Sequence, residues 1–129
     1  MLHENITAKI IQAYYNVYNT LGYGFLEKVY ENALALELED LGCRTERQKS
    51  LNVFYNGSLV GEYFADVIVE NVVIVELKSS EALRVEHEAQ LTNYLRATEI
   101  EVGLLLNFGK KAEFRRKLFS NDKKHRSNI

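Results

Sequence analysis

Asp66 interrupts the apolar run Phe64–Ala65–Asp66–Val67–Ile68–Val69, and Glu76 and Lys78 close a second one, Val72–Val73–Ile74–Val75–Glu76–Leu77–Lys78. Charges inside such segments are costly unless they are paired or bind a metal. Side chains two apart on a strand share a face, so Glu76 and Lys78 point the same way. Asp66 joins them only if the turn between the two segments is odd in length. A Glu70–Asn71–Val72 turn sets Val69 opposite Val73 and Asp66 opposite Glu76, whereas a two-residue Glu70–Asn71 turn sends Asp66 to the other face unless a bulge restores it. In the first register two carboxylates and an ammonium converge. Carboxylate oxygens are hard donors suited to Mg²⁺ or Mn²⁺, which take one or two carboxylates together with waters and substrate phosphate. A lysine beside them can orient or deprotonate a metal-bound water and offset charge on a phosphate. The plainer alternative is a cross-strand ion pair at the rim of a sheet.

Other side chains have spacings that bring them toward the same spot. Glu27 stands three residues after Gly24 and three before Tyr30, at the start of a helical segment. Taken alone it is a first-turn glutamate favoured by the helix dipole. Gln90 and Tyr94 are four apart and share one face of a later helix. Taken alone they are a solvated neighbour and a core residue. His87 is close by in sequence, and a lone histidine is more often structural than catalytic.

These residues need elements to hold them. Ile6, Ile10, Ala13, Tyr14, Val17, Tyr18 and Leu21 recur at helical spacing over Ile6–Leu21. Gly22 and Gly24 break that helix. Phe25–Leu41 forms a second one, with Leu26, Val29, Tyr30, Ala33, Leu34 and Leu38 as its buried stripe and Gly42 as its cap. From Thr45 the period changes to two, and Asn56–Gly57 marks a hairpin with a return strand over Leu59–Val69. Val73–Lys78, a helix over Val85–Thr98 and the apolar strand Val102–Phe108 form a βαβ crossover, which makes those two strands parallel. The expected fold is α/β: a central mixed four-stranded sheet, an antiparallel meander plus one parallel strand, flanked by helices in the order ααβββαβ. Residues 1–109 form the domain. Residues 110–129 are a basic C-terminal tail with a short helix expected near Ala112–Phe119.

The 129 residues suit one domain, and 47% hydrophobic with 26% charged residues excludes a disordered chain. No apolar run approaches the ~20 residues of a membrane span, the first residues lack a secretory pattern, and the single Cys43 allows neither an internal disulfide nor a thiolate zinc site. A cytoplasmic location is expected. The net charge of −2 conceals an asymmetry: residues 110–129 carry eight basic side chains against two acidic ones, on an otherwise acidic body. Such a tail is either a nucleic-acid contact or a solvated terminus.

Together these residues resemble the PD-(D/E)XK nuclease superfamily. Asp66 followed by Glu76–Leu77–Lys78 matches its D…ExK signature, and Gln90–Leu91–Thr92–Asn93–Tyr94 looks like the QxxxY motif of the RecB-like branch. Gly24–Phe25–Leu26–Glu27–Lys28–Val29–Tyr30 resembles the GxxExxY family assigned to that superfamily, as do Leu21–Gly22–Tyr23, Ala89–Gln90–Leu91 and Leu106–Asn107–Phe108–Gly109. The resemblance implies a restriction-endonuclease-like fold and hydrolysis of DNA phosphodiester bonds by a metal-bound water. It implies that Asp66, Glu76 and the Leu77 carbonyl hold Mg²⁺ or Mn²⁺, completed by Glu27. Lys78 would position the water, Gln90 would orient Lys78 or a phosphate, and Tyr94 would brace the helix. The expected partners are nucleic acid, DNA above all, and a second copy in a homodimer. The competing readings are an inactive nuclease-fold module for nucleic-acid or protein binding, and a structural subunit that uses Tyr14, Tyr15 and Tyr18 as an interface.

Overall fold

The computed structural model describes residues 1–124. Helix α1 spans Glu4–Leu21 and α2 spans Glu27–Asp40. Strands β1 (Thr45–Tyr55), β2 (Ser58–Val69) and β3 (Val73–Lys78) follow, then α3 (Val85–Arg96), β4 (Val102–Phe108), β5 (Ala112–Leu118) and a short 3-10 turn at Asn121–Lys123. The sheet runs β1-β2-β3-β4-β5, antiparallel except for the β3–β4 pair. Among the described residues no helix is long and apolar enough to cross a membrane.

The sheet therefore has five strands, not four. The helix expected near Ala112–Phe119 is β5, paired with β4 along its whole length from Phe108↔Ala112 to Val102↔Leu118. Its basic side chains hide the strand period, because they alternate only weakly with Ala112, Phe114 and Leu118. The sheet thus continues past residue 109, and much of the basic segment is structural. Arg115 pairs with Glu113 at 3.0 Å, Lys117 with Glu88 on α3, and Arg116 donates to the Leu2 carbonyl at 2.8 Å. Lys124 donates to the carbonyls of Thr98 and Ile100. Arg126 lies outside the described residues.

Two layers of side chains cover the sheet. Val67, Val69, Val73, Val75 and Leu77 face α1 and α2, where they meet Ile10, Tyr14, Tyr30 and Leu34. Ile68, Ile74 and Leu105 face α3, where they meet Leu91, Tyr94 and Leu95. Strand β4 lies between two partners and under helices on both sides, which is why Val102–Phe108 is buried throughout. The stripe expected on α2 is narrower than its sequence suggests. Leu26 is 81% exposed at the helix N-cap and Val29 is also exposed, so the buried face is Tyr30, Leu34 and Leu38. Tyr14 is core and Tyr15 is at the surface.

The segment after Lys78 is tied to the end of β4. Asn107, fully buried, accepts from the Ser80 N–H at 3.0 Å and donates to the Ser80 carbonyl at 2.9 Å, as a strand neighbour would. A Cβ on Gly109 would collide with that same Ser80 carbonyl. Gly61, in the outer hairpin, meets nothing closer than a Tyr63 ring atom at 3.6 Å. Gly109→Ala is expected to lower stability by about 1–3 kcal/mol in urea unfolding, as overpacking does. Gly61→Ala should change it by less than about 0.5 kcal/mol; comparable losses in both would show that the Ser80–Gly109 approach is not tight.

Candidate active site

The β2–β3 hairpin takes the odd turn. Val69 faces Val73 and Val67 faces Val75, with Glu70 and Asn71 both at positive φ in the turn. Continuing that register sets Asp66 against Glu76, and there the strands separate. Two side chains bridge the opening reciprocally. Glu76 Oε2 accepts from the Asp66 N–H at 2.8 Å, and Asp66 Oδ2 accepts from the Leu77 N–H at 2.9 Å. Each carboxylate thus replaces a ladder carbonyl that is no longer in reach.

Strand β1 is distorted at the same level. Arg47 pairs with Val67 and Lys49 with Ala65, while Gln48 between them has φ 51° and drops out of the ladder. Ala65 packs on the α3 side and Val67 on the other, so the alternation of β2 slips at Asp66. The Gln48 amide donates to Glu31 Oε1 at 2.7 Å and to Asp66 Oδ1 at 3.3 Å. Glu31 is buried on α2 and also accepts from Lys28 (3.1 Å) and Arg47 (2.8 Å). Burial raises its pKa, but the bonds from Gln48, Lys28 and Arg47 outweigh that and hold the carboxyl below its usual range. Glu31 and Gln48 are the residues sequence reasoning missed. Glu31 lies four after Glu27, on the same helical face, and that spacing was the available signal.

On the α3 side, Lys78 Nζ donates to Gln90 Oε1 at 3.0 Å, and Gln90 Nε2 donates to the Tyr94 hydroxyl at 3.1 Å. Tyr94 lies close enough to feel the charges of both acids. Its pKa is pushed up to about 12 by burial first, then by Glu76 and Asp66. His87 accepts from the Arg84 N–H at 3.1 Å and so caps the start of α3.

Glu27 approaches from α2. Ser79 Oγ donates to its Oε2 at 3.4 Å, and its charge is felt by both Asp66 and Glu76. Its placement follows from Tyr30, whose hydroxyl donates to the Gly22 carbonyl at 2.6 Å and accepts from the Phe25 N–H at 3.1 Å. That ring stacks on Phe108, with centroids 4.2 Å apart. Gly24, at φ 111°, lets the loop turn between these anchors. The spacing Gly24, Glu27, Tyr30 is therefore a loop clasp that presents a glutamate on the first turn of α2.

The structure thus brings Asp66, Glu76, Lys78, Gln90 and Tyr94 together, with Glu27 exposed at the margin. Among the described residues no group of three or more His, Cys, Asp or Glu side chains is assembled to hold a metal ion. The donor set still fits a divalent cation of the Mg²⁺ type, which needs only one or two carboxylates when waters and substrate complete its shell. One oxygen of each acid holds the strand opening; Asp66 Oδ1 also accepts the long bond from Gln48, and its remaining lone pair and the second Glu76 oxygen are the carboxylate positions left for a cation. The electrostatics point the same way. Glu76 is raised to about 8 by burial and then by the Asp66 charge, and Asp66 is raised by burial despite its bond from Leu77.

The chain matches the PD-(D/E)XK nuclease superfamily over residues 4–117, and it belongs to that superfamily. Among solved structures it is similar to one described as the crystal structure of SSO0001, with a TM-score of 0.58 and 19% sequence identity. The likeness covers 73% of this chain and 51% of that one, so the chain spans about half the length of that structure. At that identity the likeness concerns the fold. No curated protein matches the chain.

Both acids hold protons more tightly folded than unfolded. For Glu76 the contribution to stability is full below its ordinary value of 4.5 and is lost as pH rises through about 8, and Asp66, raised by burial, changes in the same sense. Glu31, shifted down, matters only in more acidic solution. In EDTA the melting temperature of the metal-free protein should fall between pH 5 and 8.5. Glu76→Gln should match the native chain at pH 5 and exceed it at pH 8.5; a native melting temperature level across this range would contradict the shift.

Proposed function

We propose that the chain is a divalent-metal-dependent nuclease that hydrolyses phosphodiester bonds, with DNA as its preferred substrate. The observation that supports this most is the reciprocal Asp66–Glu76 bridge, with Lys78 anchored by Gln90 beside it. Within the superfamily, the motif spacing around Glu27 and Tyr30 favours the GxxExxY family, and the Lys78–Gln90–Tyr94 chain favours a RecB-like use of QxxxY.

Asp66, Glu76 and the Leu77 carbonyl would hold Mg²⁺ or Mn²⁺, with Glu27 as a further acidic group at the margin. Bound there, the cation supplies positive charge to the phosphodiester as phosphorus gains a further oxygen. Lys78 positions the attacking water. Its Nζ has three donors and no acceptor, so a single bond to Gln90 fixes its direction and leaves two N–H groups for water and phosphate. Gln90 is held in turn by the Tyr94 hydroxyl, which stays protonated at neutral pH because its pKa is about 12. Glu76, raised to about 8 in the metal-free site, would have to give up its proton to serve as a ligand, so metal affinity would rise with pH.

Plasmid nicking in Mg²⁺ or Mn²⁺ tests the reading. Lys78→Ala and Asp66→Asn should each lower the rate at least ~100-fold, EDTA should abolish cleavage, and Asp66→Ala should lose metal binding by calorimetry. Equal cleavage by the native chain and Lys78→Ala, with both variants folded, would overturn it.

A further inference from the structure

From the shared edge of the site a second feature extends. A groove of about 690 Å³ runs between α3 and the outer β1–β2 hairpin. Its helical wall is Glu86, Ala89, Gln90 and Asn93 on one face of α3, continued by Ala97 just past the helix end, and its hairpin wall is Val53 and Tyr63. Gln90 and Tyr94 belong to both the groove and the site, so the groove starts beside Lys78. Tyr63 is 49% exposed and leans on the Tyr94 ring, with centroids 5.6 Å apart. Arg96 lies at the same groove.

We infer that this groove binds the unpaired nucleotides that flank the scissile phosphate, making the substrate a single strand or a frayed end. The inference rests on the nuclease reading for its ligand and goes beyond it in naming the strand state. Three observations favour an unpaired strand. The lining combines the exposed Tyr63 ring, which can stack on a base, with the exposed Asn93 amide, which can bond to the base's edge. The volume lies in the range of about 300–1,000 Å³ typical of pockets for small ligands, not for a double helix. The charge also matters. Duplex DNA carries a negative charge every ~1.7 Å against ~3.4 Å along one strand. Glu86 in the groove and Asp66, Glu76 and Glu27 in the adjoining site outnumber Arg96 and Lys78, and so oppose a single strand less than a duplex.

The experiment uses the full 129-residue chain as Asp66→Asn in EDTA, so that no cleavage intervenes. Fluorescence anisotropy with labelled dU12 and U12, against a 12-base-pair DNA duplex, should show at least tenfold tighter binding of a single strand. Comparison of the two oligomers separates deoxyribose from ribose. Tyr63→Ala should weaken binding about tenfold or more, and Tyr63→Phe should stay within twofold. Ala89→Glu, an exposed helix position that places a carboxylate in the groove, should weaken it as much without altering the melting temperature. Equal affinity for duplex and single strand would overturn the inference, as would binding indifferent to both Tyr63→Ala and Ala89→Glu. Tyr63-dependent binding by a native-Asp66 chain that never cleaves would instead overturn the nuclease reading and leave the groove standing.

Discussion

Two carboxylates placed between strands that have stopped pairing carry an obvious electrostatic cost. Asp66 and Glu76 offset part of it locally, since each accepts a backbone N–H that the opening would otherwise leave without a partner. The remaining cost shows in their protonation. Burial and mutual repulsion push Glu76 to about 8, and burial raises Asp66 as well. Such a pair relaxes by taking up a proton or a cation. The opening of the β2–β3 ladder is thus the constraint from which the site follows. If the ladder continued, both backbone groups would be filled and neither acid would have reason to turn inward.

The surrounding structure keeps that opening at a fixed width. Above it, Asn107 binds both backbone groups of Ser80 and so anchors the chain just past Lys78. On the α2 side, Tyr30 ties the Gly22–Phe25 loop to itself and stacks on Phe108, one residue from Asn107. The end of β4 therefore fixes two independent segments of the site through adjacent residues. Below it, Gln48 leaves its strand to bridge Asp66 and Glu31. Arg47 and Lys28 compensate Glu31, so that network adds a buried carboxylate without adding unpaired charge next to Asp66.

The register was legible in the sequence because a period of two leaves only two options, and an odd turn of Glu70–Asn71–Val72 is the one that aligns Asp66 with Glu76. The Gln90–Tyr94 pairing was legible for the analogous reason on a helix. What escaped were features set by tertiary context. Gln48 leaves its ladder to reach Glu31 and Asp66, which no local pattern at Lys49–Leu51 announces. Strand β5 was obscured because Arg115, Arg116 and Lys117 read as a solvated basic run, although ion pairs and carbonyl contacts hold them in the sheet. Leu26 and Val29 fit a helical stripe, yet α2 begins only at Glu27 and its first turn projects past the core.

That last departure, with β5, changes how phosphate would reach the site. If the basic segment were a free tail, it could recruit a polyanion by itself. With Arg115, Arg116, Lys117 and Lys124 engaged in the fold, that role contracts, and the face around Asp66 and Glu76 is acidic. Lys78 is close to the acids, but its direction is set by Gln90 and one ammonium does not balance two carboxylates and Glu27. On the nuclease reading, then, a divalent cation does more than assist the reaction: its two charges would offset the net negative charge that one ammonium leaves where a phosphate settles. The exposed apolar groups bordering the site, Leu26 on one side and Tyr63 on the other, supply contacts that such a field does not oppose. On that reading, recognition by stacking and recruitment through a cation would be complementary consequences of the same acidic surface.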